Sequence, residues 1–390
     1  MMINVNGAAV FSNDRFVREN FSFSVDSANT DCTSVDGSDI YVLPGFADVH
    51  VHFREPGFSY KETIKSGSMA GARGGFTTVC TMPNLNPTPD SLDNLKIQLD
   101  IIKRDSKIRV VPFGSITVGE QGKMLSDLVA MAPYVCGFSD DGRGVDDAGL
   151  MREAMTIAAL HGKVISAHCE DGTAIKDSPE AEWKEIERDI KLASDTGCKF
   201  HVCHISTKES VSLIRDAKKS GVDITCETAP HYLVFSDNDV IDDGRFKMNP
   251  PIRTAVDRNA LIEGVCDCTI DMIATDHAPH SAEEKSKGFV GSLNGIVGLE
   301  TSFPVMYTHL CKTGILSLER LVDMMSVAPH KRFGLVQNGY CVVDLNKQFK
   351  VDPNKFLTMG RSCPFTGMDL FGEVVATVID SEAVYFNGSF

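Results

Sequence analysis

Eight short runs rich in β-branched residues, each ending in polar or small residues and followed by helical spacing, constrain this chain more than any other feature. They lie at 42–52, 77–84, 109–117, 134–140, 163–171, 199–207, 223–233 and 269–280. The helical segments occupy 60–74, 91–105, 122–132, 146–161, 179–196, 208–220 and 256–265, then 297–312 with 317–328. Strands that alternate with helices pair in parallel, and eight is the number that closes a (β/α)8 TIM-type barrel. A doubly wound open sheet is the rival; no glycine-rich phosphate fingerprint follows the first run, which counts against it. Residues 1–41 and 335–390 carry strand-like pieces (INVNGAAVF, FSFSVD, YCVVDL, VVATVID, AVYFNG) separated by turn residues. These are expected to pair into one small β subdomain beside a catalytic barrel at 42–334. The α/β division also accounts for a length of 390 residues, because barrel domains reach about 250 residues or more before appendages.

Hydrophobic residues make up 43% of the chain and charged ones 23%, as in ordinary globular proteins. No apolar run approaches the roughly 20 residues that span a bilayer, and the N-terminus lacks the pattern of a secretory signal. A cytoplasmic enzyme with no membrane partner is expected. The net charge of −15 argues against nucleic acid, whose phosphates need clustered Lys and Arg, but leaves room for a small anionic substrate held by one or two placed cations. The twelve cysteines contain no C-x-x-C and read as reduced, mostly buried thiols.

Chemistry concentrates where the runs end. His50 and His52 share a strand face and can grip one ion, with Arg54 one step further out on that face. Two satisfied core histidines would look the same in isolation. Asp140 and Asp141 close the fourth run, where Asp-Asp-Gly alone is also an ordinary turn. His168 closes the fifth. On the sixth, His201 and His204 fall on opposite faces by period two, which makes His204 the better ligand and packs His201 on the helix side. Asp276 ends the eighth. Eight of the eleven histidines (50, 52, 168, 201, 204, 231, 277, 280) lie near these C-terminal ends, the face where a barrel builds its active site. Core packing gives no reason for that crowding, whereas neutral imidazoles with carboxylates are the ligand set of zinc-like divalent ions. Four histidines and two carboxylates exceed one tetrahedral ion, so two ions about 3.5–4 Å apart are expected, with a strand-four carboxylate between them. Water so held becomes a nucleophile near neutral pH, and Asp276 is placed to shuttle its proton. Arg54 suits a substrate carboxylate, and Asn84 and His280 add donors.

At these residues the sequence resembles the dihydroorotases, in the bacterial class whose metals are bridged by an aspartate. The matching stretches are PGFADVHVHFREPG, ARGGFTTVCTMPN, FSDDGRGV, AHCED, HVCHISTKES, KMNPPIR, IATDHAPH and GIVGLETSFPVMYTH, spanning about residues 43–333. The resemblance implies reversible cyclisation of N-carbamoyl-L-aspartate to dihydroorotate, as in pyrimidine biosynthesis. It makes His50, His52, Asp141, His168, His204 and Asp276 ligands to Zn2+, two ions bridged by Asp141, with Asp276 also the catalytic acid/base. Arg54, Asn84, Asn249, His280, Asn294 and Gly295 become substrate contacts. It also implies a homodimer and association with aspartate carbamoyltransferase. Other amidohydrolases bridge their metals with a carboxylated lysine on strand four, but YVCGFSDDG contains none. The chain departs from the family pattern in a shortened segment at 172–185, in Ser292, Leu293, Asn294 and Gly295 where relatives carry Phe-Gly, and in an abbreviated C-terminal piece. Hydantoinases, dihydropyrimidinases and allantoinases are the enzymatic alternatives, and a non-catalytic scaffold of aspartate carbamoyltransferase is the non-enzymatic one.

Overall fold

A computed structural model describes residues 1–26 and 32–390; part of the expected N-terminal segment, 27–31, lies outside the described residues. The site is positioned by eight parallel strands: β1 (Phe46–Val51), β2 (Phe76–Thr81), β3 (Arg109–Pro112, resumed at Gly114–Ser115), β4 (Gly137–Ser139), β5 (Val164–Ala167), β6 (Lys199–Val202), β7 (Ile224–Thr228) and β8 (Met272–Ile273). Each pairs with its sequence neighbour; the first half of β3 pairs with β2 and the second with β4. The circle closes where His277, just past β8, bridges Val51 in parallel and its carbonyl accepts the His52 N–H at 2.8 Å. A buried Asp48 adds a second stitch there, accepting from the backbone N–H of His50 (2.9 Å) and of Thr275 (3.1 Å).

Alternation sorts the strand side chains into two layers. Phe46, Phe76, Ile165, Phe200 and Val202 pack outward with the helices. Val49, Cys80, Phe113, Val164, Cys203 and Met272 pack in a separate cluster with Phe333, from the helix Ala328–Phe333. Phe333 meets Phe113 and His201 edge-on at 5.9 and 5.2 Å. Helices start where short polar caps fall. Over 179–196, Ser178 accepts from the Ala181 N–H, Pro179 occupies the first position, and Gly197 ends the helix with φ 67°. From that helix the buried Glu182 accepts from the N–H groups of Ser206 (2.9 Å) and Thr207 (3.1 Å), fixing the loop that follows β6.

Several expected elements differ, and the run at 223–233 ends its strand at Thr228 and continues as a helix, Pro230–Val234. The run at 42–52 divides at Gly45, where a Cβ would lie 2.2 Å from Thr77, and its first part, Ile40–Pro44, joins the terminal sheet instead. That sheet has seven strands, in the order Arg15–Ser24, Glu382–Phe386, Asp369–Ile379, Gly339–Lys350, Ile40–Pro44, Met2–Ser12, Cys32–Asp36. It encloses its own core around Ile3, Val5, Phe23, Val42, Val342 and Val375. The segment 122–132 becomes helical only at Leu128, as an α-helix to Met131 that runs on into a 3-10 turn from Ala132, because Gly122 at φ 65° turns the chain and Asp127 caps the late start. The eighth run leaves the ladder after Ile273, since Asp276 adopts φ 47°.

Candidate active site

Side chains from the C-terminal ends of five strands meet at one cleft. Asp141, just past β4, is the hub: its carboxylate lies 3.1 Å from His50 Nε2, 3.5 Å from His52 Nε2, 3.7 Å from His204 Nε2 and 3.8 Å from His168 Nδ1. Asp276 Oδ1 stands 3.1 Å from His52 Nε2 and 3.7 Å from His50 Nε2. All six residues are buried. The fifth and sixth strands bring His168 Nδ1 within 2.9 Å of His204 Nε2.

The polarity of this cluster calls for positive charge. His50 Nδ1 lies 2.8 Å from the carboxylate of Glu227, and in the tautomer that donates there, Nε2 is left as a lone pair. That lone pair faces Asp141 Oδ1, and both atoms are buried without a hydrogen-bond partner, as is His204 Nδ1. Two acceptors aimed at each other across 3.1 Å are stabilised by a cation between or beside them, or by protonation. Burial alone would push the His50 pKa down, but Asp141, with Cys203 and Glu227, carries it well above the usual histidine range. Burial likewise opposes ionisation of Asp141, yet His50 and His204 hold that carboxyl well below its usual range. Among the described residues, His50–His52–Asp276 and His50–Asp141–His204 each bring three donor atoms within 4.8 Å of one another. Imidazole and carboxylate donors of this number fit a divalent ion such as zinc.

Orienting residues surround the six. Asn84 Oδ1 lies 2.7 Å from His52 Nδ1, while its amide donates to the Asp141 carbonyl at 2.7 Å and to Oδ2 at 3.2 Å. Asn249 reaches His168 Nε2 at 3.4 Å and donates to Glu170 at 3.2 Å. His168 also holds the Glu170 carboxyl down at about 2. The cleft has a volume of about 190 Å3, and ten of the twelve residues expected from the sequence line it. Of the other two, His50 lies buried beneath. His280 borders a neighbouring cavity, with Nε2 2.8 Å from the Asn294 carbonyl and Nδ1 between Lys61 and Glu284. Burial, with Arg54 and Lys61 nearby, pushes the His280 pKa down to about 4, so its ring is neutral. Gly295, at φ 133°, has no room for a side chain: a Cβ would sit 2.5 Å from the Ala278 carbonyl. Arg54 reaches only the Pro279 carbonyl (3.3 Å) and forms no ion pair among the described residues, so its charge is free for a ligand.

The alternation argument fails on β6. His201 and Cys203 point inward, and the backbone at His204 takes φ 29°, which turns a third side chain to the same side. His201 therefore packs inside the ring rather than against the helices, its Nε2 3.0 Å from Glu227 and its Nδ1 2.8 Å from Thr225 Oγ1. Sequence reasoning missed Glu227 and Lys176. Glu227 is a fully buried carboxylate in a run of β-branched residues, a signal that was readable. Lys176 lines the cleft from the shortened 172–185 segment.

A family model described as Dihydro-orotase-like matches residues 40–182. The dihydroorotase of Fusobacterium nucleatum is 47% identical, over 96% of this chain and 95% of its own. The dihydroorotase of Anoxybacillus flavithermus is 44% identical, over 93% and 90%. Among solved structures, the L-hydantoinase (dihydropyrimidinase) of Arthrobacter aurescens superposes with a TM-score of 0.86 at 26% identity, covering 99% of this chain and 96% of that one. The dihydropyrimidinase of Brevibacillus agri gives 0.85 at 20% identity, covering 100% and 96%, a likeness of fold alone.

Proposed function

The chain belongs to the dihydroorotase family, and from that premise we propose that it interconverts dihydroorotate and N-carbamoyl-L-aspartate in a (β/α)8 barrel whose strand ends carry the metal ligands. The observation that carries the reading is the hub: one aspartate within 3.8 Å of four histidines, beside a half-buried arginine with no ion pair among the described residues. His50, His52, His168, His204, Asp141 and Asp276 would hold the metal, zinc by their chemistry, as two ions with Asp141 between them. Such ions, when bound, acidify water to near neutrality and polarise a carbonyl.

The protein's own residues supply the rest. Arg54 anchors the ring carboxylate through its planar fork, with Asn249, Asn294 and Gly295 bordering the same space and His280 bracing Asn294 from behind. Asn84 contacts the substrate from the wall while it orients His52. Asp276 takes the proton of the attacking water as its oxygen bonds to the ring amide carbon, and returns it to the ring nitrogen as the carbon–nitrogen bond breaks. Cyclisation runs the same steps backward with loss of water. A cytoplasmic homodimer that can associate with aspartate carbamoyltransferase is the setting we infer; among the described residues no helix is long and apolar enough to cross a membrane.

The structural likeness to hydantoinases favours a second reading, a related cyclic amidohydrolase. Arg54 argues against it, because hydantoin has no carboxylate to fill that site, and so does the lack of lysine in 134–142. Parallel assays with dihydroorotate, hydantoin and allantoin test the choice: turnover of dihydroorotate is expected, and turnover of the other two alone would overturn it. A protein that purifies without stoichiometric metal and turns over none of them would be the non-catalytic scaffold.

A further inference from the structure

A second cavity, of about 440 Å3, opens at the opposite end of the strands, where β6, β7 and β8 begin and the last helices pass beneath them. Its rim carries four cations, Lys199, Arg320, Lys331 and Arg332, in a chain whose net charge is −15. The carboxylates nearby are already engaged. Asp271 accepts from Lys218 Nζ at 2.6 Å and from the Cys226 N–H at 2.8 Å, Asp323 pairs with Arg320, and Asp223 pairs with Arg332. Lys199 and Lys331 have no carboxylate partner among the described residues.

The guanidinium groups are fixed but incompletely bonded. Arg320 donates from one terminal nitrogen to the Ile270 carbonyl at 2.8 Å, and Arg332 from one of its own to the Phe200 carbonyl at 2.8 Å. The Nε–H of each is buried and has no acceptor. The Arg332 side chain is only 9% exposed. Each Nε–H is sealed from the cavity, so what the site presents to a ligand is charge: four cations line it against two carboxylates, Asp271 and Asp323. Met272, Val327 and Ala328 give that cavity an apolar floor, and its size lies in the range of small-molecule sites.

We propose that this cavity binds a small organic phosphate, with the phosphoryl oxygens on the cationic rim and the carbon skeleton on the floor. Two unpaired ammonium groups, beside two guanidinium groups held in place by their own partners, match a doubly charged oxyanion. The apolar floor selects an ester over the free ion.

Calorimetric titration of the full-length, metal-loaded protein with phenyl phosphate tests it, with inorganic phosphate and phenol as separate arms. One phenyl phosphate is expected per chain, bound about tenfold or more tighter than inorganic phosphate, with phenol not binding measurably. Replacing both exposed lysines (Lys199→Ala with Lys331→Ala) should weaken it by about a hundredfold, while Arg54→Met in the catalytic cleft leaves it unchanged. The Arg54 variant keeps this outcome separate from the dihydroorotase reading. No binding at millimolar phenyl phosphate, an affinity that the double lysine variant leaves within about twofold, or loss of binding in Arg54→Met would overturn the proposal.

Discussion

Glu227→Gln is the perturbation that most directly tests how the proposed metal ligands are held. Both carboxylate oxygens of Glu227 are in use, one 2.8 Å from His50 Nδ1 and the other 3.0 Å from His201 Nε2, and the residue is completely buried. Glutamine keeps the shape but offers a single acceptor oxygen. Its amide N–H2 must then face one of the two imidazole N–H groups, donor against donor. One charge-assisted hydrogen bond is lost, about 1.5–3 kcal/mol, and the negative charge that keeps His50 in its metal-binding tautomer goes with it. At 1.4 kcal/mol per factor of ten, zinc affinity should fall by about 10–100-fold. Competition against a chromogenic chelator measures that affinity directly, and urea unfolding of the same samples separates weaker binding from a weaker fold. Thr225→Val removes only the bond behind His201 and should have a smaller effect on both. An unfolding midpoint that drops while zinc affinity stays within about threefold of the parent would refute the reasoning, because Glu227 would then be packing rather than orienting.

Three further outcomes are expected. Asp276→Asn should leave the fold and much of the metal in place but lower kcat by about 10^2–10^4-fold in both directions, and near-normal turnover would show that another group carries the proton. Because 134–142 contains no lysine to carboxylate, metal content and activity should be the same in carbonate-free buffer; a loss restored by bicarbonate would contradict Asp141 as the bridge. Burial pushes the Glu300 pKa up to about 7, against the Thr358 N–H, Arg73 and the Leu357 N–H, so folding takes up a proton there. Its contribution is fully present below the unfolded carboxyl value of about 4.3 and is lost as pH rises through about 7, with a slope of at most about one proton. Urea midpoints across that window should lose this component in Glu300→Gln, and an unchanged slope would count against it.

What was legible depended on whether the determining contact is local. Each strand run announces itself through β-branched residues, and the proposed ligands all lie within three residues of a strand end, so His50, His52, Asp141, His168, His204 and Asp276 could be singled out as candidates before any fold was known. The same locality misled on β6, where strict alternation separates His201 from His204. The backbone at Arg54, His204 and Asp276 takes positive φ, a conformation disfavoured for residues with a Cβ, and sequence carries no mark of it at these positions. Glu227 was passed over for a different reason: its partner His50 is 177 residues away, so its one mark in the sequence is an acidic residue within a β-branched run.

The burial of Glu227 nevertheless follows from a rule that needs no partner list. A carboxylate inside a parallel sheet, with helices on one side and packed side chains on the other, is strongly unfavourable unless donors or a cation meet it. Glu227 on β7 and Asp48 on β1 are such groups, and each fixes the strand end of a proposed metal ligand: Glu227 through the His50 ring, Asp48 through the His50 N–H and the Thr275 N–H next to Asp276. Read forward, an acidic residue in the middle of a ring strand marks the layer beneath the ligands. That rule assigns the two carboxylates different work. Removing Glu227 should weaken metal binding first, whereas removing Asp48, which holds backbone rather than a ring, should first loosen the closure between β1 and β8. Faster amide exchange at His50 and Thr275 in Asp48→Asn, with zinc affinity little changed in the protein that remains folded, is the pattern that follows; the reverse order would mean that both carboxylates act as one network.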